Sequence, residues 1–460
     1  MNNKYRVVKT VQPGTAGVSV DLHEFRLTTN NTALFTLYQP RIRDGMWILD
    51  SCFQEVDLEN DTMLFNWCSL DHVDVSQSHV PFNDERAVGN GQSQLQAWDY
   101  FHINSVEKVD NGDYIISCRH IDAVLLISHV DGSIVWQLGG DRSTFSFDDF
   151  DFRRQHDARI FSPYPAKPNL TGISLFNNGN DDLTVNPTIS SGLIVLLNHT
   201  VNTAHLLTAL LPPTQIGDVG EEEFSSRAMG NLQMLPNGNI LVNYAENGAM
   251  IEYTASGIPV WAARLRQKWQ NYRAFKIQPD SWTGNPQEPP ALWTYSKTAS
   301  PSSSTACYAS WNGATEVSTW RFWGSTAKDG DFKVVAEAKR SGFETKAITE
   351  GFWPWLFVEA LDGKGSRLRN SSLVGTYVPD KEGIDCGIWH CFVDDGNGLG
   401  TAVVDEMASV SHEHSPSGIV WAEHVFALLG LFCSLAFCWR YIKLGTSGRD
   451  RYFRLSAYDM

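Results

Sequence analysis

The chain is poor in several residue patterns, and each shortage removes a class of function. It carries 36 Lys and Arg against 52 Asp and Glu, a formal net charge of -16. That balance excludes nucleic acid as a partner, because phosphate backbones are held by Lys and Arg. No Gly-x-x-x-x-Gly-Lys-Ser/Thr string occurs, which removes phosphate-loop chemistry. Cysteine is limited to 8 residues, none in a Cys-x-x-Cys pair, and no His-x-x-x-His or His-Glu-x-x-His spacing suggests zinc. Outside the C-terminus no long stretch has helical periodicity. The opening residues, Met1-Asn2-Asn3-Lys4-Tyr5, begin no apolar run and so no signal peptide.

What is present is aromatic and rich in turns. With 460 residues the chain is long enough for two or three domains, each with a core. It holds 16 Trp, 24 Phe and 36 Gly, and its Asn-Gly and Asp-Gly dipeptides favour short strands joined by tight turns. Two segments share a pattern of turn, apolar strand, middle strand, turn and a strand ending in Trp. One runs from Asn111-Gly112 to Trp136 and the other from Asn237-Gly238 to Trp261, with Gly-to-Trp separations of 24 and 23 residues. A looser copy joins Asn31 to Trp67. Units of this size predict β-propeller blades, the alternative being unrelated hairpins in a sandwich. The expected organisation is mainly β. A propeller over 1–278 is followed by a Pro- and Ser-rich linker over 279–305 and a small β-sandwich over 306–378. A polar, acidic stalk would occupy 379–417.

From Gly418 to Trp439 the chain has 22 mostly apolar residues, and roughly 20 suffice to cross a bilayer as a helix. No Lys or Arg lies between Lys381 and Arg440, whereas Arg440, Lys443, Arg449, Arg451 and Arg454 follow. Positive flanks stay cytosolic. The segment 440–460 is therefore expected in the cytosol and the large domain in the lumen or outside, as a single-pass membrane protein. Five acceptor triplets for N-linked glycan, at Asn30, Asn60, Asn169, Asn198 and Asn370, agree with that side. Without a signal peptide, the span would instead act as a tail anchor and leave the domain in the cytosol, unless the N-terminus begins upstream. Six cysteines precede the span, and Cys386 and Cys391 are near enough to pair. Six cysteines allow 15 full pairings, so connectivity stays open.

Histidine is scarce, 13 residues, yet several sit in polar-flanked, strand-like strings with arginines nearby. These strings are Trp98-Asp99-Tyr100-Phe101-His102-Ile103-Asn104-Ser105-Val106, Arg119-His120 and Gln155-His156-Asp157-Ala158-Arg159. Imidazoles and a guanidinium converging on one pocket suit the transfer of an anion. The imidazole acts as nucleophile or proton carrier, and the guanidinium offers a flat fork of donors to a tetrahedral oxyanion. Arg119, Arg153, Arg154 and Arg159 are the candidates for that local basic pocket. Asp99 and Asp157 flank candidate histidines and could orient them. A zinc or copper site on His23, His102 and His156 is the chemical rival, but the histidine spacing does not support it, and no metal or other cofactor is expected.

Together these strings resemble the arylsulfate sulfotransferases, in particular their fungal members. The match also takes in Asp21-Leu22-His23-Glu24-Phe25, Asp50-Ser51-Cys52-Phe53-Gln54-Glu55, Leu70-Asp71-His72-Val73, Leu235-Pro236-Asn237-Gly238-Asn239 and Ser310-Trp311-Asn312-Gly313-Ala314-Thr315-Glu316, in order from about Tyr5 to Val378. The resemblance implies a six-bladed propeller with its active site at the central channel. It further implies sulfuryl transfer from an aryl sulfate to a phenol without a nucleotide sulfate donor. His156 matches the histidine that is transiently sulfated. His102, with substrate-binding Asn104 beside it, Arg119 and His23 match further pocket residues, although Cys118 stands where the family usually has a small residue. Family members carry a further stretch before the Asp-Leu-His-Glu-Phe string, and only 20 residues precede Asp21 here. The propeller is therefore expected to be N-terminally incomplete. The rival from another class is a luminal or cell-surface propeller that binds a ligand without catalysis.

Overall fold

The computed structural model describes residues 1–379 apart from 83–88, 163–166, 168, 182–187, 214, 217–218, 221–224, 266–268 and 279–280. Nearly all of the expected stalk, the span 418–439, the tail 440–460, Cys386 and Cys391 lie outside the described residues. Among those described, no helix is long and apolar enough to cross a membrane. The chain divides into one unit over Met1–Asn285 and a second that begins at Pro286.

The first unit is a succession of antiparallel sheets with their strands in chain order, one edge strand excepted. Sheet 1 holds β1 (Val20–Leu27), β2 (Thr32–Arg43), β3 (Met46–Asp57) and β4 (Met63–Cys68). Sheet 2 holds β5 (Ile103–Lys108), β6 (Tyr114–Cys118), β7 (Ala123–Ile127) and β8 (Ile134–Gly139). A short β9 (Ser146–Asp148) then pairs in parallel with the last strand of sheet 3. Sheet 3 is β10 (His156–Phe161), β11 (Leu170–Asn177), β12 (Ser191–Asn198) and β13 (Thr203–Leu210). After a two-stranded pair, β14 (Gln215–Ile216) with β15 (Val219–Gly220), comes sheet 4. It is made of β16 (Asn231–Met234), β17 (Ile240–Tyr244), β18 (Ala249–Tyr253) and β19 (Pro259–Arg264). Four-stranded meanders of this kind are what propeller blades are made of. The resemblance implies six, and four are present among the described residues.

The sequence shows why the sheets stack face to face. The middle strands are apolar on both faces, as in Tyr-Ile-Ile-Ser-Cys of β6 and Ala-Val-Leu-Leu-Ile of β7, and every residue of both is buried. Ile116 joins Phe53, Trp67 and Tyr114 in the core between sheets 1 and 2. Its neighbour Ile115 points the other way, into the core with Val124, Ile173 and Leu193 between sheets 2 and 3. Phe176, Ile194, Val242 and Ile251 fill the next interface. Burial of each such side chain contributes about 1.5–3 kcal/mol. The Asn-Gly turns work as expected, with Gly112 and Gly238 at φ +97 and +84, where a side chain would be strained. Trp67 at the end of β4 donates to the Gly132 carbonyl of sheet 2 at 3.0 Å. Trp261, at the matching place in sheet 4, is 45% exposed. A disulfide joins Cys52 and Cys68, register partners on β3 and β4, while Cys118 and Cys307 are free and buried.

The second unit has two sheets over one core. One holds β20 (Ala291–Ser296), β21 (Ser304–Ser310) and β24 (Glu344–Glu350). The other holds β22 (Thr319–Ser325), β23 (Lys333–Lys339), β25 (Trp355–Leu361), β26 (Arg367–Asn370) and β27 (Val374–Gly375). Alternate burial along β21 and β24 marks strands with one face on a core and one in water. Cys307, Trp320, Phe322 and Val358 lie in that core. β20 falls inside the stretch 279–305 that composition marks as a linker. The Pro- and Ser-rich residues after it form a hairpin turn, and the alternating Ala-Leu-Trp-Thr-Tyr-Ser before them pairs with β21.

Candidate active site

The first strands of sheets 1 to 4, namely β1, β5, β10 and β16, lie side by side, and the singled-out residues fall on or just before them. His23 lies on β1, His102 and Asn104 at the start of β5, and His156 opens β10. Three of these strands are irregular at the residues in question. The pairing register slips between Val20 and Phe25, between Ile103 and Ser105, and between His156 and Arg159. Bulges of this kind re-aim side chains next to functional sites. His102, Asp122, Arg154, Asp157 and Met229 also have positive φ. Each costs on the order of 1–3 kcal/mol, which the surroundings must impose.

The rings are in contact. His23 and His102 meet edge to face at 4.7 Å between centroids, and His102 lies 4.6 Å from His120. Tyr272 touches His23 at 5.7 Å and His156 at 6.4 Å. It thereby links the two ends of the set. Arg119 lies in the 3-10 turn Arg119–Ile121 after β6 and is bonded to His120.

Each imidazole has a different partner, and the partner decides its chemistry. His102 Nδ1 donates to the Asp99 carboxylate at 2.5 Å, and His23 Nδ1 bonds the Asp21 carboxylate. Burial pushes the Asp21 carboxyl up, but the His23 charge and hydrogen bonds outweigh it and leave Asp21 below its usual range. His156 Nδ1 instead meets a neutral amide, the Asn178 Oδ1, at 2.7 Å. The orientation of that amide is fixed, because its Nδ2 donates to the carbonyls of Ser226 at 2.7 Å and Met229 at 3.0 Å. The Met229 N–H reaches His156 Nε2 at 3.2 Å. His156 is therefore the neutral tautomer with its proton on Nδ1 and its lone pair on Nε2. His120 is neutral as well: Nδ1 donates to the Asp99 carbonyl at 2.6 Å while Nε2 accepts from Arg119 at 2.8 Å.

Of the four arginines expected to make a basic pocket, three are committed to carboxylates. Arg154 pairs with Asp122 and Asp181, Arg153 with Asp151, and Arg159 with Glu24 and Asp157. Arg159 belongs to a buried quartet with Glu24, Asp157 and Arg273, in which Arg273 reaches Glu24 at 2.8 Å and the Asn104 carbonyl at 2.7 Å. Asp157 is spent on Arg159 and Arg273 and does not orient His156, whereas Asp99 does orient His102. Asn104 donates through Nδ2 to the Gln155 carbonyl at 2.7 Å. Its buried Oδ1 has no hydrogen-bond partner among the described residues. Gln155 of the Gln-His string is structural, since its amide ties Ser117, Cys118 and Ala123.

His72 stacks on Trp67, while His199 and His205 bond Thr171 and Asp148, so these three stand apart. Asp21, Asn178, Tyr272 and Arg273 are the residues that sequence reasoning does not single out. The last two ride on a strap, residues 271–276, held to sheet 4 by amide side chains. Asn231 bonds the N–H and carbonyl of Ala274, both at 2.8 Å. Gln233 does the same for Lys276 at 2.7 and 2.9 Å. Ligand atoms of Asp99, His102 and His120 come within 4.8 Å of one another, but His120 has both nitrogens engaged, one of them by a guanidinium. His23, His102 and His156 each engage Nδ1 with a neighbouring side chain.

The family model for arylsulfotransferase (ASST) matches residues 1–266, more than half of the 460-residue chain. The chain belongs to the arylsulfotransferase family. No curated protein matches it. Similar solved structures include a protein of unknown function from Bacteroides caccae, 8% identical over 72% of this chain and 95% of that one, with a TM-score of 0.26. Another is hydrazine synthase from Kuenenia stuttgartiensis, 8% identical over 77% of each chain, TM-score 0.29. A third is the GH43 protein BlXynB from Bacillus licheniformis, 8% identical over 78% of this chain and 77% of that one, TM-score 0.28. Likenesses this low carry no argument about activity.

Proposed function

We propose that this protein transfers a sulfuryl group from an aryl sulfate to a phenol through a sulfohistidine on His156, without nucleotide sulfate. The observation that carries this is the contrast of partners: a neutral amide on His156, carboxylates on His102 and His23, and an Arg119 with no carboxylate partner among the described residues. A nucleophilic imidazole must be neutral, and Asn178 favours the neutral ring. Proton-carrying imidazoles gain from a carboxylate, which stabilises the imidazolium. In the first step Nε2 of His156 attacks sulfur and leaves the Met229 N–H free for a sulfuryl oxygen. The S–O bond to the aryl group breaks, and the ring becomes an N-sulfo-imidazolium. His102, as imidazolium, protonates the departing phenolate. In the second step neutral His102 takes the proton of the acceptor phenol, whose oxygen attacks sulfur and releases His156. Arg119 carries the charge that gathers on the sulfuryl oxygens. Asn104, beside His102, helps to hold the bound substrate, and His23 supports the proton transfer at His102.

The domain is read as luminal or extracellular and anchored by the span 418–439. The Cys52–Cys68 disulfide supports an oxidising compartment. Exposed acceptor triplets at Asn30, Asn60 and Asn169 support it too. The fungal-type assignment and a six-bladed ring belong to the same proposal.

A chromogenic aryl sulfate plus a phenol tests the activity: turnover should be ping-pong, and His156→Ala should abolish it. Donor-treated protein quenched in alkali, in which sulfohistidine survives, should carry sulfate on His156 by mass spectrometry. Undiminished turnover in His156→Ala sinks the nucleophile assignment. No turnover by the native protein favours the non-catalytic binding role.

A further inference from the structure

Arg119 is 9% exposed, and among the described residues no carboxylate pairs with it. Its two hydrogen bonds go to neutral acceptors, His120 Nε2 at 2.8 Å and the Arg227 carbonyl at 3.1 Å, and its Nε has no partner among the described residues. Around it, Arg154, Arg159 and Arg273 are all neutralised by acidic side chains. An unneutralised buried guanidinium is costly on its own, so its placement must come from something that orients it without cancelling its charge.

We infer that His120 is the positioning residue for Arg119: its ring, anchored on the Asp99 carbonyl, aims the guanidinium at a bound sulfuryl group while leaving its charge intact. This deepens the proposed function and rests on it. A carboxylate in place of His120 would hold Arg119 more firmly but would take the charge that the anion needs. Imidazole supplies an acceptor on one side and a donor on the other, and in this tautomer it is uncharged. Burial drives His120 well below its ordinary range, and the neighbouring His102, Arg119 and Arg154 act in the same direction, so it stays neutral. Asp99 serves twice. Its carboxylate sets His102 at 2.5 Å and its carbonyl sets His120 at 2.6 Å, so one residue fixes both the proton carrier and the anion clamp. His120 touches no substrate in this scheme. It acts through Arg119.

The test is binding, so that it does not depend on turnover. The probe is 4-nitrobenzenesulfonate, an aryl sulfonate whose carbon–sulfur bond prevents transfer, titrated calorimetrically into the full chain. His120→Leu removes both hydrogen bonds and should weaken binding about 10- to 100-fold, the range for a lost hydrogen bond to a charged group. His120→Asn, polar but too short to reach both partners, should do the same and serves if the leucine variant misfolds. His120→Gln keeps a donor and an acceptor and should restore most of the affinity. In an Arg119→Ala background the substitutions at His120 should have no further effect, because the two residues act as one unit. Native-like binding in His120→Leu or His120→Asn, alongside binding lost in Arg119→Ala, overturns the positioning role and leaves the proposed function standing. A weakening that persists undiminished in the Arg119→Ala background overturns it as well. Binding unchanged in Arg119→Ala refutes the clamp itself, and with it both inferences.

Discussion

Replacing Glu24 with glutamine should destabilise the first unit by about 3–5 kcal/mol, the cost of leaving a buried charge uncompensated. Glu24 is 5% exposed. Its Oε2 accepts from Arg159 at 2.6 Å and its Oε1 from Arg273 at 2.8 Å. With Asp157 the four groups balance to zero charge. The substitution would leave two buried guanidinium groups sharing one carboxylate, and the new amide NH2 would face a second donor where an acceptor stood. Burial pushes the Glu24 carboxyl up, but Arg159 and then Arg273 outweigh it and hold it below its ordinary 4.5. A carboxylate with a lowered folded value contributes stability above its unfolded value and loses it as pH falls through the folded one. Native protein and variant should therefore differ most near neutral pH and converge in acid, where Glu24 is protonated and resembles glutamine. Urea unfolding followed by tryptophan fluorescence at several pH values measures this. The double variant Glu24→Gln/Arg273→Met restores charge balance and should lose less than the sum of its single variants. A native-like midpoint for Glu24→Gln at pH 7, or strict additivity in the double variant, would refute the idea that the quartet is a closed electrostatic unit.

Two further outcomes follow from the same structure. Cys52→Ser/Cys68→Ser opens a crosslink between residues 16 apart and should cost about 3 kcal/mol for a loop of that size, read as a lower urea midpoint; native-like stability would mean the bond is not formed in the mature protein. Glycosidase should increase the mobility of the native protein and alkaline carbonate should leave it in the membrane pellet; an unchanged mobility removes the luminal assignment, and extraction removes the anchor.

Local signals in the sequence point to much of the fold. The Asn-Gly-to-Trp repeats correspond to sheets 2 and 4, and the looser copy to sheet 1, because a hairpin is specified by its own turn and alternation. Sheet 3 has no such turn-to-Trp signature, so the repeat does not reveal it. The candidate histidines stand out because they sit in strings that resemble those of the family. Asp99, three residues before His102, is legible with it, but distant partners such as Asn178 and Tyr272 are not, because contacts made across sheets leave no spacing in the chain. Glu24 meets Arg159 over 135 residues. Arg159 therefore reads as an anion ligand although two carboxylates already hold it. Asn231 and Gln233 belong to no string singled out in the sequence, yet they bond the strap that carries Tyr272. The linker expected at β20 fails for a simpler reason: proline and serine that form a hairpin turn look, in composition, like a tether.

The irregular backbone and the ion quartet explain one another. His102, Arg154, Asp157 and Met229 adopt left-handed conformations at or near the candidate histidines, and such residues persist only where the surroundings over-determine them. The quartet provides that constraint at Asp157 and beside His102, while Arg154 is held by Asp122 and Asp181 and Met229 by Asn178 and His156. Asp157 is bound by Arg159 and Arg273, Arg273 also holds the Asn104 carbonyl two residues past His102, and Glu24 is the next residue after His23. Three candidate histidines are thus set by one neutral, buried knot that itself offers nothing to an anion. A chain with a net charge of -16 can still attract an anion on the proposed reading, since the field inside a dry pocket is set by the nearest charge, here Arg119 with no carboxylate partner among the described residues, rather than by the total.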